Sequence, residues 1–182
     1  MKKSRVVLFI DHVRRVSLLD ANVYQVIGKS FVSAVIIVLL VGLSHGLGGV
    51  IRANFNQWNA LESFIVGLQG EILFWFTQSL LYYAAARWLL NKQVPLMEVL
   101  TVIGYAIFPG VLVIIAVLLE PAALTIPFLI LIAIYRLITC TLALKQLLLV
   151  KLHTAILLAI CGTAFSFFSL GFGIRLTEAI LK

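Results

Sequence analysis

The sequence predicts an all-α integral membrane protein, a bundle of about five transmembrane helices preceded by an N-terminal amphipathic interfacial helix. Three observations carry this expectation. Hydrophobic residues make up 63% of the chain and charged ones 12%, and the mean hydropathy of +1.14 lies far above that of a soluble globular domain. The apolar residues gather in runs of roughly 20, the length that crosses a bilayer core as a helix. Every backbone polar group inside lipid needs an internal partner, and nothing alternates as a barrel strand would, so helices are the spanning element.

Residues 1–29 form a cytoplasmic, basic, amphipathic segment in this reading. Val6, Phe9, Ile10, Val13 and Val16 recur at helical spacing, with Arg5, His12 and Arg15 on the other side. Such a helix lies in the membrane surface, and Lys2, Lys3, Arg5, Arg14 and Arg15 would hold it to anionic lipids at about 1 kcal/mol each. "VVLFI" is too short for the apolar core of a secretory signal, and Asp11, His12, Arg14 and Arg15 follow it closely.

Residues 30–175 form the membrane domain, with spans expected at 30–51, 66–90, 97–118, 122–143 and 153–175, and residues 176–182 form a short tail. Asn91, Lys92 and Pro95 interrupt the chain before the third span. The short turn "EPAAL" at 120–124 makes spans three and four a tight antiparallel hairpin. With the N-terminus cytoplasmic, the inner side holds Lys2, Lys3, Arg5, Arg14, Arg15, Lys29, Arg87, Lys92, Lys145 and Lys151, and the outer side holds Arg52, Arg175 and Lys182. That bias of ten against three predicts a cytoplasmic N-terminus and an external C-terminus. The net charge of +7 is accounted for by this inner-face bias, so no nucleic-acid partner is expected. Five spans divide poorly into two inverted halves, and no internal echo is visible, which disfavours the common architecture of secondary transporters.

Small residues mark helix contacts. "GLSHGLGG" at 42–49 lacks the Lys and Ser or Thr of a phosphate loop and reads as close helix packing. Gly162, Ser166, Ser169 and Gly173 follow spacings of four, three and four, a ridge that lets another helix approach closely. Cys140 and Cys161 lie in apolar runs without metal or redox spacing and are expected to be small core residues.

Glu71 and Arg136 are the intramembrane charges. Each costs about 2.5–3.5 kcal/mol near a helix centre on insertion scales. Counted from the expected span ends, Glu71 falls in the outer half. Arg136 lies close enough to the cytoplasmic end to snorkel, so the two are not expected to be direct partners. His45 and His153 sit on different spans near opposite faces, which gives no metal site. No serine, cysteine or carboxylate pair stands with the base and orienting group that hydrolysis needs. The expectation is therefore no catalytic residue, no metal and no cofactor.

The third span contains "TVIGYAIFPG" at 101–110. Pro109 removes a backbone donor and kinks the helix, Gly110 permits the bend, and Gly104 and Ala106 give small surfaces. Tyr105 needs a partner for its hydroxyl. "GYAIFP", with Gly104, Tyr105, Pro109 and Gly110, resembles the mid-chain Gly-Tyr…Pro signature of the Yip family, the Ypt/Rab-interacting membrane proteins. Span count, orientation and the closing pattern "ALKQLLLVKLHTAILLAI" at 143–160 are similar too, over residues 30–175. The short N-terminal arm is similar to the compact prokaryotic branch. The resemblance implies a non-enzymatic, multi-pass protein that acts as a scaffold or accessory subunit in a membrane complex, in membrane organisation or in membrane trafficking. It further implies lateral contact with other membrane proteins or with itself. The expected location is the plasma (inner) membrane of a prokaryote, or an endomembrane of a eukaryote. The alternative is a small transporter or channel built on Glu71, Arg136, His45 and the broken third helix.

Overall fold

The computed structural model describes the backbone of residues 5–28, 30–52, 57–119 and 122–180, and the side chains of 6–28, 30–51, 60–119 and 124–166. Among these residues the chain is helical and contains no strand. Among the described residues four helical stretches are long and apolar enough to cross a membrane: Phe31–Ile51, Ala60–Leu89, Leu96–Leu118 and Leu124–Leu148. A fifth apolar stretch, Leu152–Ser166, opens the last helix. The protein is thus an integral membrane protein by the length and composition of its helices.

The chain begins with α1 (Arg5–Ser17) and a short α2 (Val23–Ile27). Asp20 organises the link between them. Its carboxylate meets Arg15 Nε at 2.8 Å and accepts the Asn22 amide at 3.0 Å. The Arg15 hydrogen bond holds the Asp20 carboxyl below the usual carboxylate range.

The apolar side of α1 is divided rather than presented whole to lipid. Val16 is fully buried, and Phe9 and Val13 pack against the core, whereas Val6 and Ile10 are 64% and 59% exposed. His12, expected on the polar side, is instead buried with its ring edge-on to Tyr105, centroids 6.1 Å apart. Burial pushes its imidazole below the ordinary histidine range. The reason for the difference is that α1 docks against the third span and against the helix that carries Tyr135, whose Oη donates to the Ser17 carbonyl at 2.5 Å. Arg14 stays exposed; Lys2 and Lys3, and the Arg5 side chain, lie outside the described residues.

α3 (Phe31–Arg52) and α4 (Gln57–Ala84) run antiparallel, and α4 closes in a π turn at Ala85–Leu89. "GLSHGLGG" lies at their contact: a Cβ on Gly46 would come within 2.9 Å of the Phe64 carbonyl, and one on Gly49 within 3.0 Å of the Ser63 carbonyl. The following link contains Asn91 at φ 51°, a left-handed conformation that asparagine tolerates. Pro95, extended at ψ 137°, then opens α5 (Leu96–Ala106).

The third span is the centre of the bundle, 67% buried against 28% for Ala60–Leu89 and Leu124–Leu148. It is not one kinked helix. α5 ends at Ala106, Phe108–Leu112 takes 3₁₀ geometry, and α6 (Val113–Leu118) resumes. α7 (Ala122–Leu148) packs back along α5 and α6, and α8 (Leu152–Ile180) packs on α4 and α7.

These bounds shift three expectations, one of them being that the last helix runs on to Ile180 rather than ending at 175. The second helix starts at Gln57 rather than 66, and the fourth ends at Leu148 rather than 143. Of the two cysteines, Cys140 is buried as expected of a core residue, but Cys161 faces outward from α8.

Candidate functional site

The break in the third span frees backbone groups that lipid cannot satisfy, and neighbouring helices supply the partners. Pro109 has no N–H, and Gly110 N bonds back to Ile107 O at 2.9 Å. Thr139 Oγ1 on α7 donates to the Ala106 carbonyl at 2.6 Å. Ser44 Oγ on α3 donates to the Val111 carbonyl at 2.8 Å and accepts the Ile114 amide at 3.0 Å, bridging the far side of the break. Before the break, Trp75 Nε1 on α4 donates to the Leu100 carbonyl at 2.9 Å. Three helices therefore hold the interrupted span by side-chain bonds to its backbone.

Gly104 and Gly110 let those helices approach. A Cβ on Gly104 would lie 2.8 Å from Ala34 Cβ, and one on Gly110 would lie 2.6 Å from Val41 Cγ1 and 3.2 Å from Arg136 Nη1. Gly110 thus leaves the space through which the Arg136 guanidinium passes the break. Tyr105 is fully buried, and its hydroxyl lies beside Ser30 and Ser33 at the start of α3. These serines are the polar neighbours that the sequence leads one to expect for it, and the rings of His12 and Tyr105 meet at a steep angle of 70°.

Glu71 and Arg136 meet directly, contrary to the expectation from the sequence. Arg136 Nη2 lies 2.6 Å from Glu71 Oε1 and Nη1 lies 3.4 Å from Oε2, while His45 Nδ1 lies 2.9 Å from Oε2. The reason is the helix bounds. Because α4 begins nine residues earlier than expected and α7 ends five residues later, both charges fall near the middle of their helices. Arg136 accordingly turns to Glu71 rather than snorkelling to the surface, and its side chain is 17% exposed. Its guanidinium carbon also lies 5.0 Å from the centroid of the Phe74 ring, a cation–π contact. Three helices are joined at mid-depth by one carboxylate.

A cavity of about 340 Å³ adjoins this cluster, between α4 and α7, with α8 reaching it through Thr163. Gly162 and Ser166 of the small-residue ridge are buried; the Tyr82 ring occupies the space a Gly162 side chain would need, and Ser166 Oγ donates to the Gly162 carbonyl at 2.8 Å. The side chains at positions 169 and 173, Ser169 and Gly173, lie outside the described residues. The structure thus gathers His45, Glu71, Arg136 and Gly110 at one place and leaves Gly162 and Ser166 on the neighbouring α4–α8 contact.

Ser44, Trp75 and Thr139 are the partners that sequence reasoning did not single out. Their signal was present: each is a hydrogen-bonding side chain at depth in a span, the type of residue needed once a neighbouring helix is broken. Together the fold and the cluster define an integral membrane protein with an interrupted central helix and a buried ionic centre. No protein-family model matches the chain, and no curated protein or solved structure matches it either.

Proposed function

We propose that the chain is a five-span, Yip-type membrane protein that acts without catalysis, as a scaffold or accessory subunit packed against other membrane proteins. The observation that best supports this is the commitment of the mid-depth charges to one another. Both Glu71 oxygens are taken, by Arg136 and by His45. An ion relay needs groups free to exchange partners; a closed cluster that ties α3, α4 and α7 around a broken span serves rigidity instead. "GYAIFP" and the described part of the small-residue ridge, Gly162 and Ser166, are taken up by packing within the bundle, so lateral contact would use the exposed apolar faces of the outer helices, such as Ile126, Ile130 and Ile134 of α7.

The second reading, a small transporter or channel, is favoured by the cavity beside the cluster and the interrupted helix. Two measurements separate the readings: the proteins that co-purify in gentle detergent, and solute or proton flux in reconstituted vesicles. The scaffold reading expects Tyr105→Phe and Pro109→Ala to reduce partner retention with no flux in any variant. His45→Gln is the informative probe of the rival, because it leaves the Glu71–Arg136 contact in place. A folded His45→Gln protein that keeps its partners but loses a flux present in the wild type would decide for transport.

The topology that accompanies this proposal has the N-terminus cytoplasmic and α8 as a fifth span. A reporter fused after Lys182 is expected to be extracytoplasmic, and reporters inserted near Lys92 or Lys151 cytoplasmic. A cytoplasmic signal from the C-terminus would mean that α8 does not cross.

A further inference from the structure

The side of α4 that faces away from Glu71 carries a polar side chain where lipid is expected. Val66, Gln69, Leu73, Phe76 and Leu80 are all exposed, and they follow spacings of three, four, three and four, a straight line along the helix. Glu71, Phe74, Gln78 and Tyr82, on the opposite side, are buried in the bundle. Among the described residues, the exposed positions of α3 between Val32 and Leu47 and of α7 between Leu124 and Ile138 are apolar throughout. Gln69 breaks that pattern, and its amide has no hydrogen-bond partner among the described residues.

Depth makes this exposure unfavourable. At 1.5 Å per residue the 30-residue span Ala60–Leu89 is about 45 Å long, against a hydrocarbon core of about 30 Å. With the span centred on that core, Gln69 lies about 7 Å inside the apolar boundary, further than its short side chain reaches. Lipid tails offer an amide neither donor nor acceptor, so a protein partner must supply both. Another amide does so, whichever way either one is turned. All copies of the chain insert in one orientation. Two α4 helices can therefore meet in parallel about a two-fold axis along the membrane normal, which sets Gln69 against Gln69. Alternating spacings of three and four suit a left-handed pair crossing at about 20°. That angle carries Glu62 and Arg87, at the two ends of the line, apart into headgroup water, so their like charges do not face each other.

We propose that the chain forms a parallel homodimer through this face of α4, with Leu73 and Leu80 packed on their counterparts and the two Gln69 amides each donating to the other's carbonyl. The inference goes beyond the scaffold reading and stands independently of it, because a transporter would present the same face to lipid. Lipid alone and a different membrane protein are the competing occupants, and the test separates them.

The full-length protein is given Cys161→Ala, with Cys140 left buried, and a single new cysteine by Leu73→Cys, Leu80→Cys or, as the control on α3, Leu40→Cys. Oxidation in the membranes of the producing cells is expected to give an adduct of twice the chain mass from the two α4 positions and none from Leu40→Cys. Energy transfer between donor- and acceptor-labelled copies in vesicles, followed as lipid is added, then gives the dissociation constant of the dimer. Gln69→Leu is expected to weaken the dimer about ten-fold, the worth of one or two interhelical hydrogen bonds in a membrane. Gln69→Asn keeps the amide and should weaken it less. Both variants should melt with the wild type in detergent, since the side chain faces out of the bundle. An adduct of any other mass would put a different protein on this face and overturn the proposal. So would cross-linking through Leu40→Cys alone, a monomer at every lipid dilution, or equal constants for Gln69→Leu and the wild type. A dimer that co-purifies with no other protein would support this inference while the scaffold reading fails; a monomer that retains other proteins would overturn this inference alone.

Discussion

Arg136→Met is expected to lose about 3–5 kcal/mol of stability, the cost of stranding one member of a buried ion pair. Glu71 has a side chain only 5% exposed and would keep His45 alone as a partner. Glu71→Gln should be comparably damaging, because it leaves the guanidinium at depth with a neutral amide. The informative comparison is with the double variant, Glu71→Leu combined with Arg136→Met. Replacing a buried pair by apolar groups of similar size is often neutral, so the double variant is expected to recover most of the loss. Arg136→Lys should not rescue, since the ammonium cannot reproduce the two-pronged contact with the carboxylate or lie flat over Phe74. Thermal unfolding in one detergent, with wild type, the single variants and the double, closes the cycle. Single variants that melt within a degree or two of the wild type would show that the cluster is not a structural lock, and would remove the main support for the scaffold reading.

The same cluster marks how far the sequence could be read. Hydropathy located the apolar stretches well, because span length is set by bilayer thickness and needs no knowledge of neighbours. "GYAIFP" was legible as a break for the equally local reason that proline cannot donate a backbone hydrogen bond. The Glu71–Arg136 contact was not legible, because depth within a helix depends on where the helix starts. Asn56, Gln57 and Asn59 interrupt the apolar pattern, yet α4 begins at Gln57. The partners of the break were hidden for a different reason. Ser44, Trp75 and Thr139 are brought to it by the packing of α3, α4 and α7, and their numbers give no hint of proximity to residues 100–114. Likewise the helical period of α1 marked an apolar stripe, but not that His12 would be buried beneath it against Tyr105.

Gly67 is the position where the smallest change should do the most damage, although nothing in its sequence surroundings stands out beside "GLSHGLGG". A Cβ at Gly67 would lie 2.7 Å from the Gly46 amide nitrogen and 2.8 Å from both Gly46 Cα and the His45 carbonyl carbon. All three are backbone atoms, which cannot rotate away, so Gly67→Ala must push α3 from α4. Overpacking of this kind costs about 1–3 kcal/mol, and Gly67→Leu should exceed that. The displacement also acts on the cluster, because His45 belongs to the displaced segment and reaches Glu71, one turn beyond Gly67, at 2.9 Å. Gly48→Ala is the control on the other side of α3. There the added Cβ meets Val117 Cγ2 at 3.2 Å, a side-chain methyl that can shift by a few tenths of an ångström. The expected order of melting temperatures is therefore wild type close to Gly48→Ala, then Gly67→Ala, then Gly67→Leu. If Gly67→Ala melts with Gly48→Ala, the backbones of α3 and α4 do not touch at this level. If the order holds, adding Gly67→Ala to the apolar double variant should cost less than adding it to the wild type, because His45 no longer has a carboxylate to lose.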